Sequence, residues 1–127
     1  MRTKATHEPL LVLVAGPYRS GTGDDPGRLA TNVAAMNRVA LDVFRAGHIP
    51  VTGEAIALPL VEVAGSSRVG DAVFDAIFHP IARRLVDRSD AVLRIGGPSV
   101  GADEMVQIAR RAGKLVVTAV DELPEAA

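Results

Sequence analysis

Two glycine-rich turns, each directly after a short apolar run, constrain this chain more than any other feature. Gly16-Pro17-Tyr18-Arg19-Ser20-Gly21 follows the run Leu10–Ala15. Gly96-Gly97-Pro98-Ser99-Val100-Gly101-Ala102-Asp103-Glu104 follows Ala91–Ile95. Unbroken Val- and Leu-rich runs of this length are the pattern of strands buried on both faces. Each turn leads into apolar residues at helical spacing. Strand, turn and helix in that order describe units of a parallel sheet. In open sheets of this kind, ligands bind outside the carboxyl ends of the strands. The pattern predicts one polar, glycine-lined site, built from both turns, for a small anionic or polar molecule.

The remaining segments complete that architecture. Asp25 followed by Pro26 is a helix start, and Leu29, Val33, Met36, Ala40 and Val43 carry a helix over Pro26–Ala46 that stops at Gly47. His48–Thr52 reads as a second strand, Ala55–Ala64 as a short helix and 66–70 as a turn. Val73, Ile77, Ile81, Leu85 and Val86 define a helix over Asp71–Arg88, where Pro80 predicts a kink or two shorter helices. A third strand at Ala91–Ile95, a helix at Ala102–Ala112 ended by Gly113, and a last strand at Leu115–Val120 follow. The expected fold is a single α/β domain over residues 1–127. It is a small three-layer Rossmann/flavodoxin-like domain with a parallel sheet of four or five strands and right-handed crossovers. Residues 1–8 and 122–127 read as loose ends.

Composition narrows the function. With 127 residues, 48% hydrophobic and only 3% aromatic, the core is one of Val, Ile, Leu and Ala. A formal net charge of −1 argues against non-specific nucleic-acid binding. The absence of cysteine excludes disulfides and thiolate metal sites. There is no HxxxH, HExxH or Asp cluster, so no metal site is expected. The longest apolar run is far too short to span a bilayer, and no apolar signal core precedes it. The expectation is a cytoplasmic protein with no membrane partner.

The first turn offers Gly16, Arg19, Ser20, Gly21 and free backbone N–H groups at the mouth of a helix. Such a set suits an anion, a phosphate above all. A surface loop using glycines for its turns would look the same. Neither a Walker A loop nor a GxGxxG fingerprint is present, which argues against P-loop and dinucleotide chemistry. In the second turn Ser99 is a natural cap and Gly101 sits beside it. Asp103 and Glu104 then fall in the first helical turn, where the dipole favours a carboxylate by about 0.3–1 kcal/mol. An ionised carboxylate at a cleft can be a nucleophile or a stabiliser of positive charge; simple decoration of a helix start is the alternative. Glu54 falls at a strand end, either reaching a ligand or solvated. His79, beside Pro80, reads as structural, and His7 and His48 as peripheral.

With these residues in view, the chain resembles the nucleoside 2-deoxyribosyltransferase-like superfamily, which includes the 2′-deoxynucleoside 5′-phosphate N-hydrolases. The resemblance runs from about Leu10 to Val120. It rests on Ala15-Gly16-Pro17-Tyr18, Arg19-Ser20-Gly21, Ser89-Asp90-Ala91-Val92-Leu93, Pro98-Ser99-Val100-Gly101 and Gly113-Lys114. It implies cleavage of the N-glycosidic bond of a deoxynucleoside or nucleotide through a glycosyl-enzyme, without metal or organic cofactor. It implies that Arg19 and Ser20 hold a 5′-phosphate, that Tyr18 positions the sugar or the nucleophile, and that the partner is a second copy of the chain in a homo-oligomer. Two positions depart. The family's nucleophilic Glu corresponds to Met105, with Glu104 one place earlier and therefore about 100° around the helix. A family Asp corresponds to Ala82, with His79 one turn earlier.

These observations lead to three expectations. The first is an N-glycosidase or deoxyribosyltransferase with Glu104 and Tyr18 catalytic, and Gly16, Arg19, Ser20, Gly21, Glu54, Ser99 and Gly101 binding substrate. The second is a nucleotide-binding module of the same fold that has lost its nucleophile, which Met105 and Ala82 favour. The third is a phosphoribohydrolase of the cytokinin-activating type, loosely suggested by Gly96-Gly97 and Glu104. Apolar residues in Ile56–Ala64 and Val73–Ile81 are candidates for the subunit interface or for packing on the sheet.

Overall fold

A computed structural model of the chain describes residues 8–126. His7 and most of the amino-terminal lead-in lie outside the described residues, as does Ala127. In chain order the elements are β1 (Leu11–Ala15), α1 (Pro26–Arg45), β2 (Ile49–Val51), α2 (Gly53–Val63), α3 (Ala72–Arg88), β3 (Ala91–Arg94), α4 (Val100–Arg111) and β4 (Leu115–Val117), followed by one 3₁₀ turn at Val120–Glu122. The four strands form one parallel sheet in the order β2-β1-β3-β4. That is the flavodoxin-like order without its last strand.

Local chemistry starts every helix. Asp25, Thr52, Asp71 and Ser99 sit in extended backbone, and each side-chain oxygen accepts a backbone N–H from the first turn of α1, α2, α3 and α4 respectively. Asp71 is the most heavily used. It accepts from the Phe74 N–H at 2.8 Å, the Ser66 hydroxyl at 2.8 Å and the Ser67 N–H at 2.9 Å, which holds its carboxyl well below the usual carboxylate range. α3 runs unbroken through Pro80, so two shorter helices do not form. Packing against α2 and α4 on either side holds it together.

The chain winds in two directions. From β1 it passes through α1 to β2 at one edge; from β2 it returns across the sheet to β3 and β4. With right-handed crossovers this reversal places α1 on one face and the later helices on the other. The core divides accordingly. Val12, Val14, Ala91, Leu93 and Val117 pack with Met36 and Val43 of α1 and with Leu123. Leu13, Ala15 and Val92 pack with Ala82 and Val86 of α3 and with Ala102, Met105, Val106 and Ala109 of α4.

Several details differ from the reading of the sequence. α2 starts at Gly53 rather than Ala55, and α4 at Val100 rather than Ala102, because Thr52 and Ser99 cap them there; only Asp103, not Glu104, therefore falls in the first turn of α4. β4 ends at Val117 rather than Val120, because the chain turns there into the 3₁₀ segment. The tail, expected to fray, is tied down: Leu123 is buried and the Pro124 carbonyl lies 2.7 Å from His48 Nε2. His48 is thereby structural and buried rather than peripheral. Its Nδ1 faces the Leu10 N–H at 3.0 Å and must accept, so Nε2 carries the proton and donates to Pro124.

Candidate functional site

The reversal of winding falls between β1 and β3, and both glycine turns leave the sheet there. Their approach is close. Gly96 has φ +77°, and a Cβ on it would lie 2.7 Å from Pro17 Cδ, so the second turn can lie on the first only with glycine at this position. Arg94, at the end of β3, fixes the second turn. Its guanidinium donates to the Ile95 and Gly97 carbonyls and to Asp103 Oδ1 at 3.1 Å. One side chain thus ties strand end, turn and first turn of α4 together.

Between the turns lies a cleft of about 280 Å³, lined among others by Tyr18, Glu54, Phe78, Ser99, Glu104 and Met105. This is near the lower end of the range for small-molecule sites. Of the residues expected at the site, Gly16, Tyr18, Arg19, Ser20, Glu54, Ser99, Gly101 and Glu104 all line it; Gly21 does not. Among the described residues no group of three or more His, Cys, Asp and Glu is placed to hold a metal.

One wall is aromatic. The Phe74 and Phe78 rings stack at 4.8 Å between centroids and 13° between planes, and Tyr18 stacks on Phe78 at 5.6 Å and 18°. The chain has one Tyr and three Phe, so three of its four aromatic rings converge here. Neither Phe74 nor Phe78 stands out in the sequence, where both read as apolar positions of α3. Stacked rings open to a cleft suit a flat heterocycle.

The opposite chemistry comes from α2. Glu54 stands in its first turn, directly beyond β2, and only 5% of it is exposed. It makes no hydrogen bond or ion pair with another side chain among the described residues. Burial pushes its carboxyl up to about 7, against a smaller opposing effect from its own backbone N–H. A helix N-terminus ordinarily favours the anion; here desolvation wins. The Tyr18 phenol is raised as well, first by its own burial and then by the negative charges of Glu54 and Asp24.

The cations around the cleft are engaged. Arg19 grips Asp24 through two bonds of 2.9 Å each, and its guanidinium lies over Gly70, where φ is +83° and a Cβ would come within 2.7 Å of it. Arg83 lies 3.7 Å from Glu104, which is half-exposed. His79 is exposed and lies 3.5 Å from Asp75. Ser99 is buried and caps α4 through the Ala102 N–H at 3.1 Å; the Val100 and Gly101 N–H groups precede the first intrahelical bond. Met105 and Ala82, at the two positions where the resemblance expects acids, belong to one buried apolar cluster. Met105 lines the cleft, whereas Ala82 does not; both line a smaller cavity together with Phe78, His79, Arg83 and Glu104.

Fold and cleft define a class: a doubly wound α/β domain with a cleft of small-molecule size at its switch point. No protein-family model matches the chain, and comparison with curated proteins finds no match. No helix among the described residues is long and apolar enough to cross a membrane.

Proposed function

We propose that this protein cleaves the N-glycosidic bond of a nucleoside or nucleotide, as a hydrolase or 2-deoxyribosyltransferase. The observation that carries the reading is the pairing, in one cleft, of a stacked aromatic wall with two carboxyls in contrasting surroundings: Glu54 buried with no side-chain partner among the described residues, Glu104 half-exposed beside Arg83. The wall suits the base, and carboxyls suit a sugar that develops positive charge at its anomeric carbon.

In this reading the base stacks on Phe78 and Tyr18. The Tyr18 hydroxyl and Ser99 orient the sugar. Glu104 attacks the anomeric carbon, and water or a second base resolves the glycosyl ester. Any 5′-phosphate meets Arg19 and Ser20, and it must compete with Asp24 for the guanidinium. We assign the active species as a homo-oligomer joined through α2, whose Ile56, Leu60 and Val63 form an exposed apolar stripe.

The test is free-base release from the common deoxynucleosides, ribonucleosides and their 5′-monophosphates, followed by chromatography beside a Glu104→Ala control. Release that falls at least a hundredfold in the control is the expected result. Release undiminished in the control would remove Glu104 from the mechanism. Absence of release, with thermal stabilisation by one compound, would favour the second reading, a nucleotide-binding module, to which apolar Met105 and Ala82 already point.

A further inference from the structure

We propose that Glu54 is the general acid of this cleft, giving its proton to the ring nitrogen of the departing base as the N-glycosidic bond breaks. The proposal rests on the N-glycosidase reading and adds a catalytic residue on an element, α2, that contributes none under the family resemblance.

Three observations carry it. Glu54 lines the same cleft as the aromatic wall and Glu104, and only 5% of it is exposed. Among the described residues no other side chain hydrogen-bonds or ion-pairs with it, and only its own backbone N–H offsets its burial. Facing the cleft are Tyr18 and Arg19 from the loop after β1, His79 from α3 and Glu104 from α4. Arg19 is held by Asp24, Glu104 is paired with Arg83, and His79 lies beside Asp75. Among the described residues, no cation at the cleft is left to compensate Glu54. A carboxyl so placed keeps its proton into the neutral range, which suits a group that must donate near pH 7. Lastly, the leaving base needs that proton, since a purine or pyrimidine anion is a poor leaving group.

The step balances with one water. A Glu104 oxygen bonds to the anomeric carbon while the carbon–nitrogen bond breaks, its electron pair going to the base nitrogen, which takes the Glu54 proton. Water then bonds to the anomeric carbon, the ester bond breaks with its pair returning to Glu104, and the water's proton passes to Glu54. Both carboxyls end as they began.

The experiment compares two leaving groups. Wild type, Glu54→Gln and Glu54→Met are assayed on the best-cleaved deoxynucleoside and on 4-nitrophenyl 2-deoxyribofuranoside, whose nitrophenolate departs without a proton. The expected result is a loss of about 10²–10⁴-fold in kcat/KM on the nucleoside, and less than about tenfold on the aryl glycoside. The wild-type nucleoside rate should also fall as pH rises through about 7, and both variants should lose that limb. Circular dichroism of both variants checks that they fold. Equal losses on the two substrates, or none on either, would overturn the assignment while leaving the N-glycosidase reading intact. If wild type releases neither base nor nitrophenolate, the N-glycosidase reading fails and the assignment falls with it.

Discussion

Glu54 is held at a cost to the fold that grows with pH. Its carboxyl titrates at about 7 in the folded chain against an ordinary value of 4.5. A raised value means that the folded state resists ionisation, so stability is greatest below the unfolded value and declines as pH rises from about 4.5 to about 7. The difference corresponds to about 3 kcal/mol. Glu54→Gln should therefore melt near the wild-type temperature at pH 4 and above it at pH 8, by several degrees, while losing activity. Melting followed across that range checks it; a wild-type advantage at pH 8 would contradict the burial argument. From sequence, Glu54 is legible as a charge at a strand end that could reach a substrate, but its burial is not. α2 packs against α3, and Glu54 is buried in the cleft that Tyr18 and Phe78 also line, a long-range arrangement with no local signature. Arg94 escapes the sequence for the same reason. It reads as one residue of a strand, and its three acceptors are assembled only when the second turn folds back. Tyr18 and Ser99 are legible because each lies inside a turn whose glycines announce it, and Glu104 because it follows the second turn closely, within α4.

Helix starts are the clearest elements, since Asp25-Pro26, Asp71 and Ser99 carry their caps within the local sequence. Ends that depend on tertiary contacts are less legible. β4 is shorter than its apolar run because Val120 enters the 3₁₀ turn and packs there on the core of the α1 face rather than extending the sheet. Pro80 removes one backbone donor, but neighbouring helices on both sides hold α3 in line. α2 differs in what it leaves outside. Val73–Ile81 of α3 contributes buried Phe74 to the interior, whereas Ile56, Leu60 and Val63 of α2 stand at i, i+4 and i+7 with exposures of 38%, 47% and 87%. Of the two candidate segments, the proposed interface is therefore drawn on α2. The double substitution Leu60→Lys, Val63→Glu should convert an oligomer to monomer in sedimentation velocity with little change in the far-ultraviolet circular dichroism. A wild-type chain that sediments as a monomer at tens of micromolar would contradict it.

At the level of the whole molecule, the order β2-β1-β3-β4 explains why one cleft gathers residues far apart in sequence. The reversal of winding opens a crevice between the ends of β1 and β3. The two glycine turns form its lips, α3 supplies the aromatic wall, and α2 brings Glu54 from beyond β2. The parallel sheet, with both glycine turns at carboxyl ends of its strands, follows from the alternation of apolar runs with helical periods; the strand order that brings the two turns together does not. Nor does the chemistry of the cleft, because the aromatic wall and the buried carboxyl exist only once α2 and α3 are packed across the sheet.

Nucleoside binding in this cleft can be read directly from the methionine methyl groups. The chain has three methionines; Met105 forms the cleft floor, while Met36 lies buried on the opposite face of the sheet. With ¹³C-methyl-labelled methionine, a nucleoside ring stacked beside the floor should move the Met105 resonance through its ring current and leave Met36 in place. Titration with 2′-deoxynucleosides and their 5′-monophosphates should show saturable movement of Met105 alone. Saturable binding by calorimetry with the Met105 signal unmoved would place the ligand elsewhere and contradict the account.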